Sequence, residues 1–145
     1  MIGLIQRVRK AQVEVDDKLI SAIDQGILAL IGIEKKDTPE NAEKLAHKLI
    51  NYRIFSDDND QMNLNISEIH GGLLLVPQFT LAADTKKGLR PSFSSACKPK
   101  DAQDLFLYLL NYTKEQYTHV KSGLFGANMQ VNLINDGPVT FWIQV

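Results

Sequence analysis

Two stretches of the chain are apolar without interruption: Ile27-Leu28-Ala29-Leu30-Ile31-Gly32-Ile33 and Leu73-Leu74-Leu75-Val76. Neither shows the polar alternation of a strand with one wet face. Runs of this length, bounded by turn residues, fit strands buried on both faces. Both are expected at the centre of a sheet. Elsewhere the pattern alternates. Val13 and Val15 alternate with Gln12 and Glu14, and Met129, Val131 and Leu133 alternate with Gln130 and Asn132. These read as half-buried strands. Ile2 to Asp16 is read as one extended segment, Asp16-Asp17-Lys18 as its turn, and Leu19 to Ile23 as the returning partner. A short strand is expected at Tyr52-Arg53-Ile54-Phe55. A last strand is expected from Val139 to Val145, after a turn at Asp136-Gly137-Pro138.

The period changes to that of a helix after Thr38-Pro39, which supply an N-cap and a proline at the first helical position. Ala42, Leu45, Ala46, Leu49 and Ile50 form the apolar stripe, and His47 lies off it. Pro99-Lys100-Asp101 opens a second helix with the stripe Ala102, Leu105, Phe106, Leu109 and Leu110. There are too few helices to cross over between all-parallel neighbours. The expectation is an α+β fold: a mainly antiparallel or mixed sheet, curled into a partial barrel, with two principal helices packed against it. No linker or repeat divides residues 1–145, so one domain is expected.

Composition narrows the partners. The net charge of −1 offers no global field for nucleic acid, so any basic surface must be local. Such a surface is offered by Asp84-Thr85-Lys86-Lys87-Gly88-Leu89-Arg90-Pro91-Ser92-Phe93, with Lys98 and Lys100 close behind. Phosphate contacts suit this composition, and Phe93 offers a stacking face. A solvated loop has the same composition. The single cysteine, Cys97, excludes an intrachain disulfide. With no signal-peptide pattern and no membrane-length apolar run, the expectation is a cytoplasmic protein with no membrane partner. Ser56 to Gln61 is acidic, but Met62 stands where a calcium loop needs its glycine. The segment reads as a hairpin loop.

Pro77 ends the second apolar run, because proline cannot donate a ladder hydrogen bond. If the extended geometry persists, Gln78 and Thr80 share one face and Phe79 and Leu81 the other. A core strand would then deliver an amide and a hydroxyl to a break in the ladder. Either a binding site or a merely wet edge strand fits this. His47, His70 and His119 are scattered and lack metal-ligand spacing. No Cys–His pair, nucleophile elbow or glycine-rich phosphate loop is present, so neither metal nor cofactor is expected. Gly123-Leu124-Phe125-Gly126-Ala127 is a turn of small residues where backbone can approach a ligand.

Taken together, these residues resemble the D-aminoacyl-tRNA deacylases, essentially end to end. The resemblance runs through Ile5-Gln6-Arg7-Val8, Tyr52-Arg53-Ile54-Phe55 and Lys87-Gly88-Leu89-Arg90-Pro91-Ser92-Phe93. It continues through Phe125-Gly126-Ala127-Asn128-Met129-Gln130-Val131 to Asn135-Asp136-Gly137-Pro138-Val139-Thr140. Its diagnostic motifs are Gln78-Phe79-Thr80-Leu81 and Gly137-Pro138. The chain departs from the family at Pro77, where serine is usual. The resemblance implies a homodimeric ester hydrolase that removes D-amino acids from tRNA as a proofreading step in translation. It implies that the Gly137-Pro138 bond is cis and that its carbonyls enter the site of the other subunit. They would lie where the side chain of an L-residue must go, a filter that glycine, lacking Cβ, would escape. Gln78, Phe79 and Thr80 are the implied catalytic residues, Phe79 and Thr80 through backbone N–H groups. Pro77, Phe125, Gly126, Ala127 and Met129 are the implied substrate pocket, with Arg7 anchoring the Gly-Pro loop. Lys86, Lys87 and Arg90 would meet tRNA phosphates. Either a ribose hydroxyl of the substrate assists the attacking water or Thr80 is a covalent nucleophile. A different class of reading is a non-catalytic dimeric RNA-binding module using Phe93 and the lysines.

Overall fold

The computed structural model describes residues 1–86 and 88–145. The expected contact of Lys87 with tRNA lies outside the described residues. Strand β1 (Ile2–Val15) runs through the whole sheet. One of its edges is shared by two strands in succession. Strand β2 (Lys18–Ile23) takes the stretch Ala11 to Val15, and β3 (Gly26–Gly32) takes Ile2 to Val8, both antiparallel. The turn between β1 and β2 places Asp16 at φ 50° and Asp17 at φ 60°. Two successive positive φ values match the twist of a tight hairpin, and aspartate is among the residues that tolerate them.

After β3 the direction of pairing changes. Helix α1 (Pro39–Asn51) carries the chain back, and β6 (Gly72–Pro77) then lies parallel to β3. Between them sits a small hairpin of β4 (Phe55–Ser56) and β5 (Met62–Leu64). Helix α2 (Pro99–Gln116) makes a second crossover, and β7 (Val120–Ser122) lies parallel to β6. Each parallel pair thus has its own helix, and the sheet is mixed, as expected. The start of β3 and β6 is tight: a Cβ on Gly26 would lie 1.9 Å from the Gly72 carbonyl oxygen, so only glycine fits there. The last strand, β8 (Gln130–Gln144), covers the other edge of β1 along nearly its full length. The sheet also curls. The hydroxyl of Ser21 on β2 donates to the carbonyl of Ser122 on β7 at 2.8 Å, bringing the two ends of the path together. The result is an α+β fold with a nearly closed, barrel-like sheet and two helices packed on it.

The continuous apolar runs are explained by two cores. Ile27, Ala29 and Ile31 of β3 and Leu73 and Leu75 of β6 face the helices, against Leu45, Leu49, Phe106 and Leu109. Leu28, Leu74 and Val76 face the inside of the curl, against Val8, Ala11 and Val13. Every position on these strands is therefore apolar, because both faces are dry. Tyr52 to Phe55 departs from expectation. Only Phe55–Ser56 is strand, because Tyr52 caps α1 and Arg53 is held by a side-chain bond to the Asn63 carbonyl at 2.6 Å. Asp57 closes the acidic loop. Its carboxylate accepts from the N–H groups of Asn59 and Gln61 and from the Asn63 amide, and these bonds, Gln61 first, hold its pKa below the ordinary value. Among the described residues, no helix is long and apolar enough to cross a membrane.

Candidate active site

Strand β6 runs two residues past the end of its pairing with β7. The β7 pairing stops at Leu75, while the β3 pairing continues to Pro77. Along a parallel strand, successive N–H groups point to alternate neighbours. The nitrogen of Pro77 points to the side that β7 has left, so its missing hydrogen leaves nothing unpaired. The Gln78 N–H points to β3 and donates to the Ile31 carbonyl at 2.7 Å. The ladder thus survives the proline and ends one residue later than the sequence suggests. The extended alternation does not persist. Phe79–Ala82 form a 3-10 turn, with Leu81 N–H bonded to the Gln78 carbonyl and Ala83 N–H to the Thr80 carbonyl. Gln78 and Thr80 meet all the same, because the Gln78 amide donates to the Thr80 hydroxyl at 2.5 Å. As first residues of the turn, Phe79 and Thr80 have N–H groups without an intrahelical partner.

This turn forms one rim of a cavity of about 440 Å³. Val76, Pro77, Gln78 and Phe79 supply that rim, and Cys97, Pro99 and Ala102 at the start of α2 supply another. The loop Phe125 to Met129 and Val131 of β8 close it. The ring of Phe125 is held 6.1 Å from that of Phe106 on α2, centroid to centroid. The Met129 sulfur accepts from the Leu124 N–H at 3.3 Å, which folds the loop onto itself. Among the described residues that line the cavity, none carries an imidazole or a carboxylate. Cys97 does not supply the missing base. Burial, followed by the charge of Asp101, pushes its thiol up, away from the thiolate.

The second motif is built into β8. Val8 pairs with Asn135 and Gln6 with Thr140, so the residues between bulge out opposite Arg7. The expected turn is therefore an excursion within one strand. Asn135 closes it: its side-chain Oδ1 accepts from the Val139 N–H at 3.1 Å, and its side-chain amide donates to the Thr140 hydroxyl at 3.0 Å. The Gly137-Pro138 bond is cis, and both residues are exposed. Gly137 sits at φ +125°, and a Cβ there would meet Val139 Cγ2 at 2.7 Å and Arg7 Nη2 at 3.0 Å. The excursion is braced by Arg7, which donates to the carbonyls of Asp136 (3.2 Å) and Ile54 (2.7 Å) and pairs with the Asp136 carboxylate at 3.3 Å. Arg9 reaches the same carboxylate at 3.4 Å from a more exposed position.

A family model described as D-Tyr-tRNA(Tyr) deacylase matches residues 4–144. The chain belongs to the D-Tyr-tRNA(Tyr) deacylase family. The D-aminoacyl-tRNA deacylase of Pseudomonas putida is 58% identical over 145 residues, covering 100% of both chains. The solved structure of a c-Myc DNA Unwinding Element Binding Protein is 35% identical, covers 100% of this chain and 99% of that one, and superposes with a TM-score of 0.96. A probable eukaryotic D-amino acid tRNA deacylase, 17% identical, covers 99% of this chain and 98% of that one and shares the fold at a TM-score of 0.85. Membership in the deacylase family makes the chain a hydrolase.

Of the residues singled out in the sequence, Pro77, Gln78, Phe79, Phe125, Gly126, Ala127 and Met129 come together at the cavity, with Thr80 one hydrogen bond away. Lys86 and Arg90 lie on the exposed loop between Asp84 and Ser92, whose backbones bond to each other. Gly137, Pro138 and Arg7 are not at this cavity. Arg7 lies opposite Ile27, and Ile27 opposite Leu73, so Gln78 is about 17 Å further along the sheet than Arg7 and about 10 Å across it, or about 14 Å across from the excursion on β8. Within one chain the two motifs do not meet. Sequence reasoning also missed Cys97, Pro99 and Ala102 as walls of the cavity. Their approach comes from the way α2 docks, which no local pattern announces. Asn128, inside a quoted segment, was legible and was passed over.

Proposed function

We propose that this chain hydrolyses the ester joining a D-amino acid to the 3′-terminal adenosine of tRNA, and that L-aminoacyl-tRNA is refused. Family membership supports the deacylase activity. The observation that carries the assignment to this cavity is its chemistry: an amide, a hydroxyl and free backbone N–H groups at the rim, with no carboxylate or imidazole among its described walls. Such a site suits a reaction in which the substrate brings its own assisting group. A water oxygen attacks the ester carbonyl carbon while the neighbouring ribose hydroxyl orients it. Negative charge gathers on the carbonyl oxygen, facing the N–H groups of Phe79 and Thr80. The bond to the ribose oxygen then breaks, that oxygen takes up the proton given up by the attacking water, and the water oxygen stays in the released carboxyl group. Gln78 and Thr80 hold the ester, while Pro77, Phe125, Gly126, Ala127 and Met129 receive the adenosine and aminoacyl groups.

Chirality is assigned to a second copy of the chain. The distance between the motifs supports a reading in which Gly137 and Pro138 act on a partner's cavity rather than their own. Their carbonyls, carried on an exposed excursion and held by Arg7, would occupy the space of an L side chain. A wall of backbone refuses any Cβ on that side and is indifferent to what the side chain is. Glycyl-tRNA would pass it. Lys86 and Arg90 would meet phosphates of the acceptor arm.

The test is release of amino acid from charged tRNA. D-tyrosine and glycine should be released and L-tyrosine retained. No release from any D-aminoacyl-tRNA would sink the reading. A second reading is a non-catalytic nucleic-acid-binding module, favoured by the description of one structural relative as a binding protein for a DNA unwinding element. It requires binding of nucleic acid without release of either enantiomer.

A further inference from the structure

We propose that the side chains of Phe79 and Phe93 form a stacking platform for the nucleobase that precedes the terminal adenosine of the substrate. This rests on the deacylase reading of the adjoining cavity. Phe79 is 61% exposed and Phe93 42%, an unusual outlay of aromatic surface for two residues so close together. Their rings lie 5.0 Å apart, tilted at 46°. Phe79 also lines the cavity rim, so the platform is continuous with the site that would take the adenosine.

Both rings stand on fixed backbone. The residue before Phe79 is bonded to the Ile31 carbonyl at the end of β3. The chain after Phe93 is stitched to the same region: Lys35 N–H donates to the Ser95 carbonyl, and Cys97 N–H donates to the Ile33 carbonyl. The rings are thus ordered before any ligand arrives, which removes part of the entropic cost of stacking on them. The charges nearby suit the rest of a nucleotide. Lys86 and Arg90 sit on the exposed loop that the Asp84–Ser92 backbone bonds close immediately before Phe93, and Lys98 follows a few residues on. The one acid of that loop, Asp84, already accepts from the Lys86 N–H at 2.9 Å. An exposed aromatic pair with cations alongside is the arrangement that holds unstacked bases of a single strand. The other occupant chemically open to such a patch is a second copy of the chain, and the experiment separates the two.

The experiment compares wild type, Phe93→Ala and Phe93→Trp on two esters: D-tyrosyl-adenosine, and D-tyrosyl cytidine-cytidine-adenosine. Wild type should gain in kcat/KM with the longer ester. Phe93→Ala should lose about tenfold of that gain, the size of one base–aromatic stack, and keep its rate on the adenosine ester. Phe93→Trp should keep both. A fluorescent purine placed before the terminal adenosine, in a trinucleotide carrying a non-hydrolysable amide link, should be quenched by wild type and not by Phe93→Ala. Equal loss on both esters, or no loss on either, overturns the platform. So does a trinucleotide gain that survives in Phe93→Ala while its dimer dissociates more readily, which would make the pair a subunit contact. If wild type hydrolyses neither ester, D-tyrosyl-tRNA is the control: release from it leaves the fluorescence to decide the platform, and no release means that the deacylase reading has failed and the platform with it.

Discussion

In the proposed reaction, Thr80 is the residue that separates the two chemical schemes. Its hydroxyl already accepts a hydrogen bond from Gln78, and the described cavity walls offer no base to take its proton. A hydroxyl so placed positions the ester better than it attacks it. Thr80→Ala should therefore lose about tenfold in kcat, the effect of one hydrogen bond. A loss of about 10⁴-fold or more, as when a nucleophile is removed, would restore the covalent scheme. Single-turnover release of D-tyrosine measures the difference. Pro77 shows the same economy. In place of the family's usual serine it removes a hydroxyl and an N–H, and the N–H it lacks faces the side from which β7 has already departed.

The two helices carry the parallel pairs β3–β6 and β6–β7, and they touch each other through Tyr108 of α2 and Glu43 of α1. The Tyr108 hydroxyl donates to the Glu43 carboxylate at 2.5 Å, and this bond raises the phenol pKa from 10.0 to about 12. The sign follows from the neutral form being the bonded one. The contact contributes fully below pH 10.0 and is lost as the pH rises through about 12. In a spectroscopic titration of the tyrosines, Tyr108 should ionise near the top of that range, and Glu43→Ala should bring it back toward 10.0. An unchanged midpoint in that variant would mean that the helices meet differently.

On the function proposed above, a complete site takes two chains, since the motif at the end of β6 and the excursion in β8 are far apart in one. This gives a complementation experiment. Gly137→Ala puts a Cβ 2.7 Å from Val139 Cγ2 at a positive φ, which must displace the excursion. That variant should hydrolyse L-tyrosyl-tRNA as well as the D-form. Gln78→Ala should be slow on both. When the Gln78 variant is mixed in excess into the Gly137 variant and subunits exchange, each hybrid has one intact composite site. Hydrolysis of the L-ester should fall while that of the D-ester is maintained. If hydrolysis of the L-ester is maintained along with that of the D-ester, each chain supplies its own filter.

Much of this was legible before folding. The apolar runs at Ile27 and Leu73 marked the central strands, because burial on both faces leaves no place for polar residues. The stripes of both helices were legible because helical spacing records which side is dry. Pro77, Gln78 and Phe79, and Phe125, Gly126, Ala127 and Met129, lie in two short segments, so their resemblance to the family's motifs singled them out. The end of the ladder was misjudged at Pro77, since which side an N–H faces depends on where the neighbouring strand stops. The 3-10 turn after Gln78 was missed for a related reason, as extended alternation ends where pairing ends. The Gly137-Pro138 turn became an excursion because β1 continues past it on both sides. Local chemistry determined the elements and the residues with functional groups. Only the tertiary structure decided which of them share a cavity, because Cys97, Ala102 and Met129 are brought to Gln78 by packing on distant parts of the chain.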